Sequence, residues 1–163
     1  MLRVLGALLF IIIVPVFDAD SQDDEELACG AGNIEQAILC LHHGLSEEDH
    51  LVLVEGPLSA FRLEHYGLGM GIRNGWGLWA QKGDLHTFFV SLGINHPDDM
   101  SSMILDSYWL HFNGCDLQID KQVAYYQAYW DQFASLDQGE LKVGDTIPII
   151  MPEDPQLDCT NRG

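Results

Sequence analysis

His96-Pro97-Asp98-Asp99-Met100-Ser101-Ser102-Met103-Ile104-Leu105-Asp106-Ser107-Tyr108-Trp109-Leu110-His111-Phe112-Asn113-Gly114 is the stretch that decides the fold. Pro97 suits a first helical position, where its missing N–H would have no intrahelical partner anyway, and His96 falls at the cap. Asp98 and Asp99 follow in the first turn, where the helix dipole favours a carboxylate by about 0.3–1 kcal/mol. Met100, Met103, Ile104, Tyr108 and His111 return at helical intervals and mark an inner face, and Asn113-Gly114 supplies the stop.

The same reading extends to both sides. Asn33 caps a short helix whose stripe is Ile34, Ala37, Ile38 and Leu41, ending near Gly44. Ser46 opens a second with acids in its first turn. Leu58, Phe61, His65, Leu68 and Ile72 recur every three or four residues behind Pro57 and predict one continuous third helix with His65 on its buried stripe. Asn74-Gly75 and Gly77 break the pattern, and a fourth helix starts near Asp84 with Leu85, Phe88, Phe89 and Leu92. Residues 117–136 form the last, with Ile119, Val123, Tyr126, Trp130 and Phe133 on the inner stripe. The expected fold is mainly α, a compact bundle of about five or six short helices. Residues 140–143 and 146–150 around Gly144-Asp145 add an expected C-terminal β-hairpin, with Pro148 confining its strand to an edge.

The chain has 163 residues, 47% of them hydrophobic, enough for one ordinary domain with a core. Seven Lys and Arg against 25 Asp and Glu give −18, which repels phosphate backbones and anionic lipid and makes nucleic acid a poor partner. Arg3 precedes an apolar run over residues 4–17 that gives way to acids, the layout of a signal peptide and too short for a stable membrane anchor. The expected organisation is residues 1–21 as leader, 22–136 as the helical domain and 137–163 as an extended tail or hairpin. The mature protein is then periplasmic or extracellular, with no membrane insertion after cleavage. Export turns Cys29, Cys40, Cys115 and Cys159 into candidates for two disulfides, with all three pairings open and no C-x-x-C to suggest a metal.

Residues 72–79 read Ile-Arg-Asn-Gly-Trp-Gly-Leu-Trp behind His65 and Gly69, residues 93–105 read Gly-Ile-Asn-His-Pro-Asp-Asp-Met-Ser-Ser-Met-Ile-Leu, and Tyr126-x-x-Tyr129-Trp130 follows. The set resembles a small bacterial domain of unknown function over residues 33–130. The resemblance implies a shared fold and a bacterial origin and transfers no catalytic or binding residue.

Two segments carry the residue types of a site. Arg73 and Asn74 precede Trp76 and Trp79, and an arginine fork beside aromatic faces can hold a carboxylate or a sugar ring. The plainer account is an arginine that stacks on an indole, bonds neighbouring helix ends or pairs with Asp98 or Asp99. His96 with Asp98 and Asp99 has the composition of an acid–base pair or metal site, but a capped helix start explains all three with less. Gly67, Gly69 and Gly71 miss the phosphate-loop spacings and follow no strand, so they mark close packing or a helix break. His42-His43 has no partner at ligand spacing. No H-E-x-x-H or G-x-S-x-G occurs, and neither a catalytic residue, a metal nor a cofactor is expected.

The sequence therefore favours an exported acidic binding module for a basic protein partner, of inhibitor or immunity type, with the acids and the tyrosines around Tyr125 and Tyr129 as contact surface. The alternative is a small hydrolase or carbohydrate-binding protein whose site joins Arg73, Asn74, Trp76 and Trp79 to His96, Asp98 and Asp99.

Overall fold

A computed structural model of the chain describes residues 30–137 together with Leu157 and Cys159. The helices are α1 (Ile34–Gly44), α2 (Glu47–Glu55), α3 (Leu58–Phe61), a 3₁₀ turn (Arg62–His65), α4 (Leu68–Gly75), α5 (Gly83–Ser91), α6 (Pro97–Phe112) and α7 (Ile119–Asp137). The protein is mainly helical, with no strand among the described residues. The expected hairpin and the leader lie outside those residues.

The predicted caps form. Asn33 Oδ1 accepts the Gln36 N–H at 2.9 Å, Ser46 Oγ accepts that of Asp49 at 3.1 Å, and His96 Nδ1 accepts that of Asp98 at 3.3 Å. The α1 stripe of Ile34, Ala37, Ile38 and Leu41 is buried, as are Met100, Met103, Ile104 and Tyr108 of α6.

α6 is the centre of the molecule. α1, α2, α3, the 3₁₀ turn, α4 and α7 all pack against it, and eleven of its residues from Pro97 to Leu110 are buried. A helix covered so completely must bury polar side chains too, and each one left unpaired would cost about 1–3 kcal/mol. Four buried polar residues of α6 each bind a side chain of a neighbouring element. Asp106 accepts two bonds from Arg62 in the 3₁₀ turn, at 3.0 and 2.9 Å. Ser101 Oγ accepts from Arg73 of α4 at 2.9 Å. Ser107 and Asp99 accept from Gln122 and Trp130 of α7, at 3.2 and 2.6 Å. These bonds set where each neighbour sits along α6, which apolar contact alone leaves to slide.

The third predicted helix is broken. Its residues divide among α3, the 3₁₀ turn and α4, with Gly67 between the last two. A glycine triplet at 67, 69 and 71 weakens helix there by roughly 1 kcal/mol per residue relative to alanine, and close packing claims the gain. A Cβ on Gly69 would lie 3.1 Å from a terminal guanidinium nitrogen of Arg73 and 3.5 Å from Leu105 Cδ1. The side chains of Phe61 and His65, expected on that stripe, lie outside the described atoms.

Two inner-face assignments are corrected. His111 is exposed at the C-terminal end of α6, and Trp130 of α7 is 42% exposed. α7 follows its stripe through Ile119, Val123 and Tyr126, which pack on the core. α2 buries no residue; the Trp109 indole N–H bonds Gly56 O at 2.9 Å and Asn113 bonds Val54 O at 3.2 Å, which hold its C-terminal end.

Cys115, just after α6, is disulfide-bonded to Cys159 with Cα atoms 5.1 Å apart, and Cys40 is also disulfide-bonded. Cys29 lies outside the described residues. Among them no helix is long and apolar enough to cross a membrane.

Candidate functional site

The two motif segments meet. Arg73, in the last turn of α4, is 6% exposed, and its Nε lies 2.8 Å from Asp98 Oδ1 at the start of α6. A terminal nitrogen of the same guanidinium donates to Ser101 Oγ, whose own hydroxyl donates to the Asp98 carbonyl at 2.9 Å. The guanidinium is thus fastened across the first turn of α6, as the plainer account expects. Asp98 is 39% exposed and His96 Nδ1 is 3.6 Å from its second oxygen, so the pair reaches the surface on the His96 side.

There His96 stands between two indoles. Its ring is 5.7 Å from that of Trp79, edge to face at 81°, and 5.2 Å from that of Trp130, tilted at 31°. Both indoles are in water, at 51% and 42% exposure. The Trp130 N–H is turned inward onto Asp99 Oδ2, and Tyr129 abuts the indole edge-on at 5.3 Å. Next to this row of rings is an open hollow of about 570 Å³. The loop residues 93–96 and Asp99 form one side, and Gln127, Trp130 and Asp131 of α7 form the other.

Gly93 permits this arrangement. Its φ is +80°, and a Cβ there would stand 2.6 Å from Gln127 Nε2, which donates to Leu92 O at 3.2 Å. The left-handed backbone favours glycine here, and any Cβ would have to displace the Gln127 amide from its bond to Leu92 O.

The remaining predicted residues part from the group. Asn74 is exposed. Trp76 faces a second hollow of about 510 Å³ with Gly75, Lys82 and Asp84, and its buried indole N–H has no partner among the described atoms. The structure therefore joins Arg73, Trp79, His96, Asp98 and Asp99 and leaves Asn74 and Trp76 elsewhere. It adds Gln127, Trp130 and Asp131, which sequence reasoning missed because it assigned Trp130 to the core. The signal was the adjacent pair Tyr129-Trp130, too many large rings for one inward stripe.

The acids and bases of this group each have a partner. Asp98 is held by Arg73, Asp99 by the Trp130 indole, and His96 Nδ1 by the helix start it caps. Tyr126 is pushed far above the ordinary phenol range by burial, with the Asp106 and Asp99 carboxylates adding to the shift against a hydrogen bond with Ser102, and so stays protonated. No group of three or more metal-binding side chains occurs among the described residues.

A second gathering of titratable groups lies at the other end of α6. The rings of His42 and His50 are 4.6 Å apart, Phe112 contacts both, and His111 sits 4.9 Å from Phe112. The Tyr108 hydroxyl is 2.6 Å from His50 Nδ1 and 3.5 Å from His42 Nδ1. Burial lowers the pKa of His42, with the charges of His50, His43 and His111 adding to the effect, and burial pushes Tyr108 up to about 12.

A family model described as a domain of unknown function (DUF6794) matches residues 32–112, which are α1 to α6 and leave out α7. No curated protein and no solved structure matches the chain.

Proposed function

We propose, taking residues 32–112 as a DUF6794 domain, that this chain is an exported binding module without catalytic activity, and that the hollow beside Trp130 is where a basic protein partner docks. One observation carries the reading: an open hollow lined by the part-exposed Trp130 indole is also lined by acidic side chains, Asp99 and Asp131, on a chain of net charge −18. Half-exposed indoles beside carboxylates are the composition of an interface anchor. The long-range field of the remaining acids steers cations towards it. The leader-like segment and the paired cysteines support export, to the periplasm or beyond, and an inhibitor or immunity role suits a small acidic protein there.

The carbohydrate reading rests on one specific feature, the exposed indoles on either side of His96. Its catalytic form lacks support, because the carboxylates it would need are engaged in holding α4 and α7 to α6.

Calorimetric titration of the full chain against a panel of basic proteins and neutral oligosaccharides separates the two. Binding to a basic protein that weakens at least tenfold between low and moderate salt is the expected result. Salt-insensitive binding to an oligosaccharide alone overturns it.

A further inference from the structure

We propose that the hollow between the loop at residues 93–96 and α7 receives an arginine side chain, its guanidinium laid on the exposed part of the Trp130 indole and turned towards the Asp131 carboxylate. The inference rests on the binding-module reading and names the group recognised.

The indole is a prepared plate. Its N–H is fixed on Asp99 Oδ2, one ring neighbour is His96 and another Tyr129, so little rotamer freedom remains to be lost when a ligand covers it. A carboxylate accepting the indole N–H also pushes electron density into the ring, and an electron-rich face attracts a cation more strongly. Asp99 is itself buried, so its charge acts in a medium that screens it poorly. Asp131 follows Trp130 in the chain and stands exposed at the rim, where it can meet a guanidinium fork side-on.

Arginine fits this better than lysine. Its guanidinium is flat, stacks on an indole while its edge donates, and gives up its weaker hydration more readily than an ammonium does. The Asn95 and Gln127 side chains at the margin are polar and can share the remaining N–H groups.

The test uses the oxidised full-length chain, with the Trp130 indole N–H followed by ¹H–¹⁵N NMR while Nα-acetyl-arginine methylamide is added. The citrulline analogue, equal in shape but uncharged, and the lysine analogue are run in parallel. Expected are a saturable shift at Trp130 with arginine, at least tenfold weaker binding of citrulline, and several-fold weaker binding of lysine. Asp131→Lys, at an exposed position that spares the fold, should weaken arginine binding at least fivefold. Citrulline or lysine binding as tightly as arginine overturns the assignment, as does a Trp130 signal that no cation moves. Salt-sensitive capture of a basic protein that persists unchanged in Asp131→Lys and in Trp130→Leu overturns the arginine site and leaves the binding module standing. Loss of all protein binding in the unaltered chain overturns both.

Discussion

Arg73 Nε lies 2.8 Å from Asp98 Oδ1, and through this contact the glycine- and tryptophan-rich segment at residues 67–79 is fastened to the start of the central helix. The two partners differ in burial: Arg73 is enclosed, whereas Asp98 reaches water. That difference makes their removal unequal. Asp98→Ala removes the carboxylate opposite a buried guanidinium that keeps its bond to Ser101, and is expected to cost about 3 kcal/mol. Arg73→Met keeps the packing volume and returns Asp98 to solvent, and is expected to cost no more than about 2 kcal/mol. Urea denaturation of the two variants gives the order, and an equal or reversed order means that the ion pair is not what holds α4.

Gly93→Ala should destabilise by roughly 2 kcal/mol, part from the left-handed backbone and part from the new methyl group against Gln127. Adding Gln127→Ala removes the second part only. The double variant should therefore be more stable than Gly93→Ala alone while remaining below the unaltered protein, a non-additivity that a thermal-melt cycle measures directly.

The histidine cluster gives a pH dependence of definite sign. His42 binds its proton less readily folded than unfolded, so its neutral form supports the fold. Its contribution is intact above the ordinary value of 6.5 and is lost as pH falls from there through the lowered folded value. The acids work the other way, since titrating them relieves self-repulsion in a chain of −18, but they do so mainly below about pH 5. Between pH 7 and 5.5 the melting temperature should fall, and His42→Gln should flatten that slope. A slope unchanged in the variant removes His42 as the cause.

The Cys115–Cys159 disulfide closes a loop with a sequence separation of 44. In the chain-entropy account a loop of that length stabilises by about 4 kcal/mol. Cys159→Ser is expected to lose up to that amount in urea unfolding, with the helical circular dichroism of residues 30–137 retained at neutral pH. Collapse of the helical signal would mean that the tail contributes to the core as well.

The local order of the chain was readable from its residues because it depends on neighbours in sequence. Asn33, Ser46 and His96 cap helices for reasons contained within three residues, and the stripes of α1 and α6 follow from a 3.6-residue repeat. Where apolar spacing and glycine disagreed, at residues 58–75, spacing alone was misleading. The repeat continued in register, but Gly69 had a second use that only its neighbours Arg73 and Leu105 reveal.

The candidate site was legible in half. His96, Asp98, Asp99, Arg73 and Trp79 were visible as chemistry-bearing residues, and they meet. Their roles were not visible, because whether a carboxylate is an acid, a ligand or a fastening depends on what lies within 3 Å of it. Trp130 shows the same limit from the other side. Its position on the helical repeat points inward, and only the structure shows that its contacts with Asp99 and His96 still leave it 42% exposed.

By itself, then, the sequence determined the helices, most of their ends, the acidic field and the apolar face each helix had to bury, since propensity, capping, periodicity and charge are local or additive. The tertiary structure alone decided that α6 is enclosed on nearly every side, that its polar residues must consequently each find a partner on another element, and that one of those partners, Trp130, is left half in water beside a hollow. Packing distances between residues far apart in the chain fix those outcomes, and no local pattern contains them.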